Sequence, residues 1–298
     1  MSDNTRTILL RRAGASVPVL RDPHALPFRL TLLLGLPFIF LVGFGMAWPL
    51  VAVVWDSFSP GLTLENYTAA LQDQLVIDSL IRTFRIAFIV TLAALVFGYF
   101  LAYSAWNSPG RWGATILLVV SFPVLTSLVT RNYAWIILLG RTGPVNSTLQ
   151  KIGVIDEPLQ LLNTETAVIV GMIHVMLPFA VLPIFNALQR IDRSLVDASL
   201  SLGAGRARTL FRILFPLSAP GVMVSGIFVF VLSIGFFITP ALLGGPGNMM
   251  IANVIDREAN FFLNFEGASA IAAILLLITL LIVGLAASRV DLKKVVNG

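Results

Sequence analysis

The stretch QRIDRSLVDASLSLGAGRARTLFRILFPLSAP, residues 189–220, decides how the rest of the chain is read. It is the longest polar interruption between hydrophobic runs in the second half of the chain. It holds five arginines (Arg190, Arg193, Arg206, Arg208 and Arg212) against two acids, Asp192 and Asp197. Short apolar pairs return inside it at helical spacing: Leu195 and Val196 with Leu200, then Leu210 and Phe211 with Ile213 and Leu214. A plain connecting loop has no use for such pairs. Two amphipathic helices hinged at Gly203-Ala204-Gly205 do, because each needs an apolar face to pack on something. The stretch reads as a docking element.

What flanks it is membrane. Across 298 residues the hydrophobic share is 57% and the charged share 12%, about half the charged fraction of an ordinary globular domain. A helix needs about 20 apolar residues to cross a bilayer. Six blocks qualify, near 31–55, 80–104, 114–139, 166–188, 220–243 and 267–287. The run beginning near Thr31 is longer than a signal-peptide core and reads as an uncleaved anchor. The expectation is an all-α integral membrane protein with six transmembrane helices. Its parts are a tail (1–30), a first helix (31–55), an external loop (56–79), a five-helix core (80–288) that contains the 189–219 loop, and a second tail (289–298).

Basic residues orient these spans. Fourteen arginines and lysines fall in the two tails and in the 105–113 and 189–219 connections, against Arg141, Lys151 and Arg257 alone in the 56–79, 140–165 and 244–266 connections. The latter three connections hold ten acids. By the positive-inside rule both termini and the 189–220 stretch face the cytoplasm. The net charge of +5 follows from this asymmetry, and no dense basic stripe points to nucleic acid.

Within the spans, Arg82 and Arg85 read as residues snorkelling at the outer end of the second block. Arg131 lies about 18 residues along the third, roughly 27 Å from its cytoplasmic end at about 1.5 Å per residue. There it serves either as an interfacial anchor or as a polar rim at the mouth of a pathway. His174 falls near the middle of the fourth block. An intramembrane histidine is a functional candidate, and the plainer alternative is a neutral ring bonded to a neighbouring helix. Phe179, Phe236 and Phe237 complete the pathway candidates. The fifth block is rich in small residues (Gly221, Ser225, Gly226, Ser233, Gly235), which let helices approach closely.

The chain has no cysteine and two distant histidines, His24 and His174, so no metal site is expected. No G-x-x-x-x-G-K-[ST] phosphate loop and no G-x-S-x-G elbow occurs. No span carries an acid near its centre, which argues against a proton-coupled carrier. The chain reads as no enzyme, with no cofactor of its own. If it moves a solute uphill, the energy comes from a partner. A self-contained secondary carrier or channel would instead transport without such a partner.

At this point the 189–220 stretch becomes specific. It resembles the cytoplasmic EAA loop of binding-protein-dependent ABC transporter permeases, with Asp197-Ala198-Ser199 in place of Glu-Ala-Ala, then Gly203, Phe211, Ile213 and Pro216. Asp for Glu and Ser for the second Ala are departures. RNYAWIILLGRTGPVN (131–146), MLPFAVLPIFNALQRID (176–192), FITPALLGGPGNMMIANVI (237–255) and LTLENY (62–67) are similar to the spermidine/putrescine-type branch. The resemblance implies a type I ABC importer permease fold in the bacterial inner membrane. It also implies a second permease subunit, as a heterodimer, two copies of an ATPase subunit that binds the ATP, and a periplasmic solute-binding protein. It implies that Asp192, Leu195, Asp197, Ala198, Ser199, Leu200, Gly203, Arg206, Phe211, Ile213 and Pro216 form the surface coupled to the ATPase. The substrate it implies is a polyamine or a related amine, opine or amino-acid-like compound.

Overall fold

The computed structural model describes residues 28–288, all of whose regular elements are helical. The chain divides into two compact units, Met1–Ala52 and Val53–Gly298. The first contains most of α1 (Phe28–Asp56), where Phe40, Phe44 and Trp48 stack along one face at centroid spacings of 5.6 and 5.8 Å. Spacing of four residues brings successive side chains over one another on a helix.

The second unit is built on α3 (Gln74–Asn107), α7 (Glu165–Gln189) and α10 (Phe215–Ile234), which pack on one another more extensively than any other elements. Small residues set this contact. A side chain at Gly98 would meet the Ala180 Cβ at 2.9 Å, and one at Gly221 would meet the Ala187 Cβ at 2.4 Å. The buried Ser225 hydroxyl donates to the Ala180 carbonyl at 3.0 Å. Around this trio lie α2 (Glu65–Gln72), α4 (Arg111–Leu125), α5 (Leu128–Leu139), α6 (Pro144–Lys151), α11 (Ile238–Leu243), α12 (Ile251–Asp256) and α13 (Phe265–Ser288). Two short helices, α8 (Arg193–Ser201) and α9 (Arg206–Thr209), occupy the central interruption.

Five helices are long and apolar enough to cross a membrane, and a sixth span arises if the bent pair α4 and α5–α6 counts as one. The six-block reading needs two corrections. The 114–139 block is broken: α4 ends at Leu125, the backbone is extended at Thr126 and Ser127, and the direction turns by 101°. Pro123, two residues before the end of α4, weakens the helix there, since it lacks an N–H and clashes with the turn before it. The distance of Arg131 from one membrane face, reckoned along a straight helix, therefore does not hold. The 220–243 block also ends early, at Ile234, and α11 is a separate short helix after Gly235.

That fifth span begins earlier than its apolar run. It is helical from Arg206 through a wide π-turn at Leu210–Leu214 into α10, so the second short helix of the loop is the first turn of the span. The wide turn sits just ahead of Pro216. There the Phe215 N–H reaches back five residues to the Leu210 carbonyl, re-pairing backbone where a proline interrupts the usual ladder.

Arg82 and Arg85 each have a partner in the protein, with Arg85 remaining exposed. Arg82 donates to the Met249 carbonyl at 3.0 Å, and Arg85 pairs with Glu165 at the start of α7. Next to them the buried Thr83 hydroxyl accepts from the Ile251 N–H at 2.8 Å. The start of α3 is thus tied to the segment after α11.

Candidate functional site

Residues 189–216 fold as two helices joined by a tight turn, and each joint has a local cause. Asp192 is the N-cap of α8; its Oδ1 accepts from the Ser194 N–H at 2.9 Å, which satisfies one of the orphan donors of a helix start. These donors hold the carboxyl of this solvent-exposed residue below the usual carboxylate range, the backbone N–H of Ser194 first and its hydroxyl second. At the other end Gly203 adopts φ +80°. The Ala204 N–H donates to Ser199 O (3.1 Å) and the Gly203 N–H to Leu200 O (3.0 Å). Together these form the paired bonds of a Schellman stop, whose left-handed position favours glycine. Gly205 then caps α9.

A hydroxyl pair closes the hinge from inside. Ser199 Oγ and Thr209 Oγ1 share a hydrogen bond of 2.9 Å, both side chains buried. Ser199, the departure from alanine at this point, therefore has a task that an alanine could not perform. Val196, on the same side of α8, packs against the cluster of Trp106, Leu188, Ile191 and Leu214, which Leu210 also joins.

The remaining apolar residues point the other way. Leu195 and Leu200 are exposed, Leu202 is 89% exposed and Phe211 67%. Asp197, Ala198, Arg206 and Pro216 are exposed as well, while Ile213 is half-buried. The turn thus presents an apolar surface with charges among it. Between α7, α8 and α10 opens a cavity of about 450 Å³ whose lining includes Pro183, Asn186, Arg190, Asp192, Leu195 and Gly221.

The sequence-level candidates inside the spans split into two neighbourhoods. His174 Nδ1 accepts from Trp135 Nε1 at 3.2 Å, with the two rings edge-on at 5.7 Å. A ring nitrogen that accepts marks the neutral imidazole with its proton on Nε2. Phe179 meets Phe228 edge-on at 5.8 Å. Trp135, Phe179 and Phe236 all pack against the cluster that holds Met172, Val175 and Met176. Phe237 is more exposed, and its carbonyl accepts from Asn253. Arg131 folds back on its own chain. Its Nη2 donates to the Thr126 carbonyl (3.0 Å) and hydroxyl (2.9 Å), filling the acceptors left open where α4 breaks.

Two contacts escaped the sequence reading. Arg193 reaches Trp106, its partner 87 residues away, and no local pattern announces such a pair. Ser199 with Thr209 was within reach, because both lie on inward faces of helices flanking a visible glycine hinge.

Comparison with known proteins settles the family. Residues 74–294 match the family described as binding-protein-dependent transport system inner membrane component. The chain belongs to this family. It is 35% identical over 238 residues to the spermidine/putrescine transport system permease protein PotB of Escherichia coli K12, covering 78% of this chain and 85% of PotB. The Haemophilus influenzae PotB is 32% identical over 214 residues, covering 71% and 73%. In fold, the chain is similar to one from a bacterial alginate ABC transporter solved in complex with an alginate-bound periplasmic protein. That match has a TM-score of 0.78 over 89% of this chain and 96% of the other, at 19% identity. The protein is therefore a multi-pass inner-membrane permease subunit of an ABC importer and not an enzyme.

Proposed function

We propose that this permease forms half of the pathway of an ATP-driven importer for a polyamine such as spermidine or putrescine, or for a related amine. A second permease subunit supplies the other half, two copies of an ATPase subunit bind the ATP, and a periplasmic binding protein delivers the solute. The observation that carries the reading is the α8–α9 turn: locked from inside by Ser199 and Thr209, it leaves Leu195, Leu200, Leu202 and Phe211 uncovered. Burying such side chains against a partner is worth about 25 cal/mol per Å² of apolar area. The excess of basic residues in the turn and in both tails supports a cytoplasmic side for them, the side of the ATPase in this reading. Identity to PotB supports the substrate class.

The turn connects α7 to α10, so ATP-driven displacement of α8 pulls on two members of the central trio at once. In this reading the solute path runs past His174, Phe179 and Phe236, and further along past Phe237 and Arg131. Aromatic faces there can meet an ammonium group through the ring quadrupole. Substituting Gly203 by valine forces a branched side chain into the left-handed region, at a cost of roughly 2 kcal/mol. Uptake by the assembled transporter and retention of the ATPase are expected to fall together. Parental uptake with parental ATPase retention would refute the assignment. Measuring which amine the cognate binding protein retains tests the substrate.

A further inference from the structure

The turn has a third attachment, made by a side chain and not by the run of the backbone. Arg193, first residue of α8, donates from Nη2 to the Trp106 carbonyl at 3.1 Å, and its guanidinium lies 5.0 Å from the centre of the Trp106 ring. Trp106 is the penultimate residue of α3. Its carbonyl is among the last of that helix, which have no partner within it and sit at the negative end of the dipole. The ring is 8% exposed and is packed with Leu188, Ile191 and Leu214, where the ends of α7 and α10 meet. Tyr103 stacks on it at 6.2 Å. The contact continues into α4: a side chain at Gly113 would stand 2.4 Å from the Ala105 carbonyl, so the two arms of the α3–α4 hairpin touch backbone to backbone.

We propose that Arg193 is a positioning residue that fixes α8 to the α3–α4 hairpin, so that movement of α8 is delivered to α3 as well as to α7 and α10. This rests on the reading of the turn as the ATPase-coupled element. The need for a clasp follows from the packing. Around Gly98, which faces Ala180, α3 meets α7 through small, smooth surfaces, and such helix faces can slide on one another. A planar guanidinium that bonds a carbonyl and covers a ring resists that slip in two directions. A lysine would keep the charge and one bond but lose the planar cover.

The chain has no cysteine, which makes the test direct. Spin labels at Ser108→Cys, just after α3, and Ser201→Cys, at the end of α8, report the separation of these elements. They are read in the complete transporter without nucleotide and with ATP trapped. The separation is expected to be the same in both states. In R193A it should shift by about 5 Å on ATP binding, and uptake per ATP should fall about tenfold, a coupling loss of ordinary size. R193K should lie between, and it carries the test alone if R193A does not assemble. An α3–α8 separation that changes with nucleotide in the parent would overturn the proposal. So would R193A, or R193K if it stands alone, keeping both the separation and the uptake per ATP. Cross-linking of Leu202→Cys to the ATPase reads docking in a separate channel, so failure of the coupling reading and failure of the clasp are told apart.

Discussion

At Gly203 the chain turns between α8 and α9 on a left-handed glycine, whereas at Thr126 it turns between α4 and α5 with no glycine at all. Both turns interrupt helices in an apolar chain, and both leave backbone groups without helical partners. At the first, neighbours within a few residues fill them: Asp192 caps the start of α8, and the Gly203 and Ala204 amides close its end. At the second, the helix ends two residues after Pro123, and Arg131 returns from the next helix to fill the open carbonyl and hydroxyl of Thr126. The first turn is closed by a matched pair of backbone bonds, whereas the second has one longer backbone bond, Thr126 N–H to the Pro123 carbonyl at 3.3 Å, and leans on a long charged side chain. The first can therefore keep its shape while exposing an apolar surface to a partner. The second leans more heavily on one side chain staying in place.

Substitutions separate the two kinds of turn. The largest effect is expected from Gly203→Val, about 2 kcal/mol, with Gly203→Ala milder because alanine is unbranched; thermal unfolding in detergent and ATPase retention check both. Arg131→Ala should cost about 1.5 kcal/mol by removing a charged donor from the break. Proteolysis near Thr126 should become faster, with the α8–α9 turn undisturbed. Ser199→Ala should cost about 1 kcal/mol by leaving Thr209 with only its longer contact to Gly205. That change restores the alanine of the EAA pattern yet is predicted to loosen this turn, which a cysteine-accessibility scan of α8 would detect.

The smallest effect concerns pH. The folded-state pKa of Asp192 is depressed by the Ser194 donors. Its stabilisation is therefore present above the unfolded pKa and is lost as pH falls through the lower folded value. Unfolding followed from neutral to acidic pH should show this small loss in the parent and not in Asp192→Asn.

The two turns also differ in how visible they are beforehand. Asp192 ahead of an amphipathic run and Gly203 after it are local signals, and the hinge between two short helices follows from them. Pro123 is just as visible, but apolar spans tolerate proline when neighbours re-satisfy the backbone. The continuous hydrophobicity across 114–139 masked a 101° change of direction. The Arg131 contacts that fill the break exist only in the folded chain. For the same reason the reading of Arg82 and Arg85 as residues reaching for headgroups had no sight of their partners, Met249 and Glu165, which lie far along the sequence. The clasp of Arg193 on Trp106 is the extreme case, since residues with no shared pattern meet only after α3, α7 and α10 have packed.

The central claim is that the uncovered apolar surface of the α8–α9 turn meets the ATPase. A single cysteine at Leu202, placed in the otherwise cysteine-free chain, tests it most directly. In the assembled, transporting complex a short thiol-to-amine cross-linker should join this position to the ATPase subunit, and a cysteine at Thr148 on α6 should yield no such product. A complex that transports normally while Leu202→Cys gives no ATPase adduct would contradict the account.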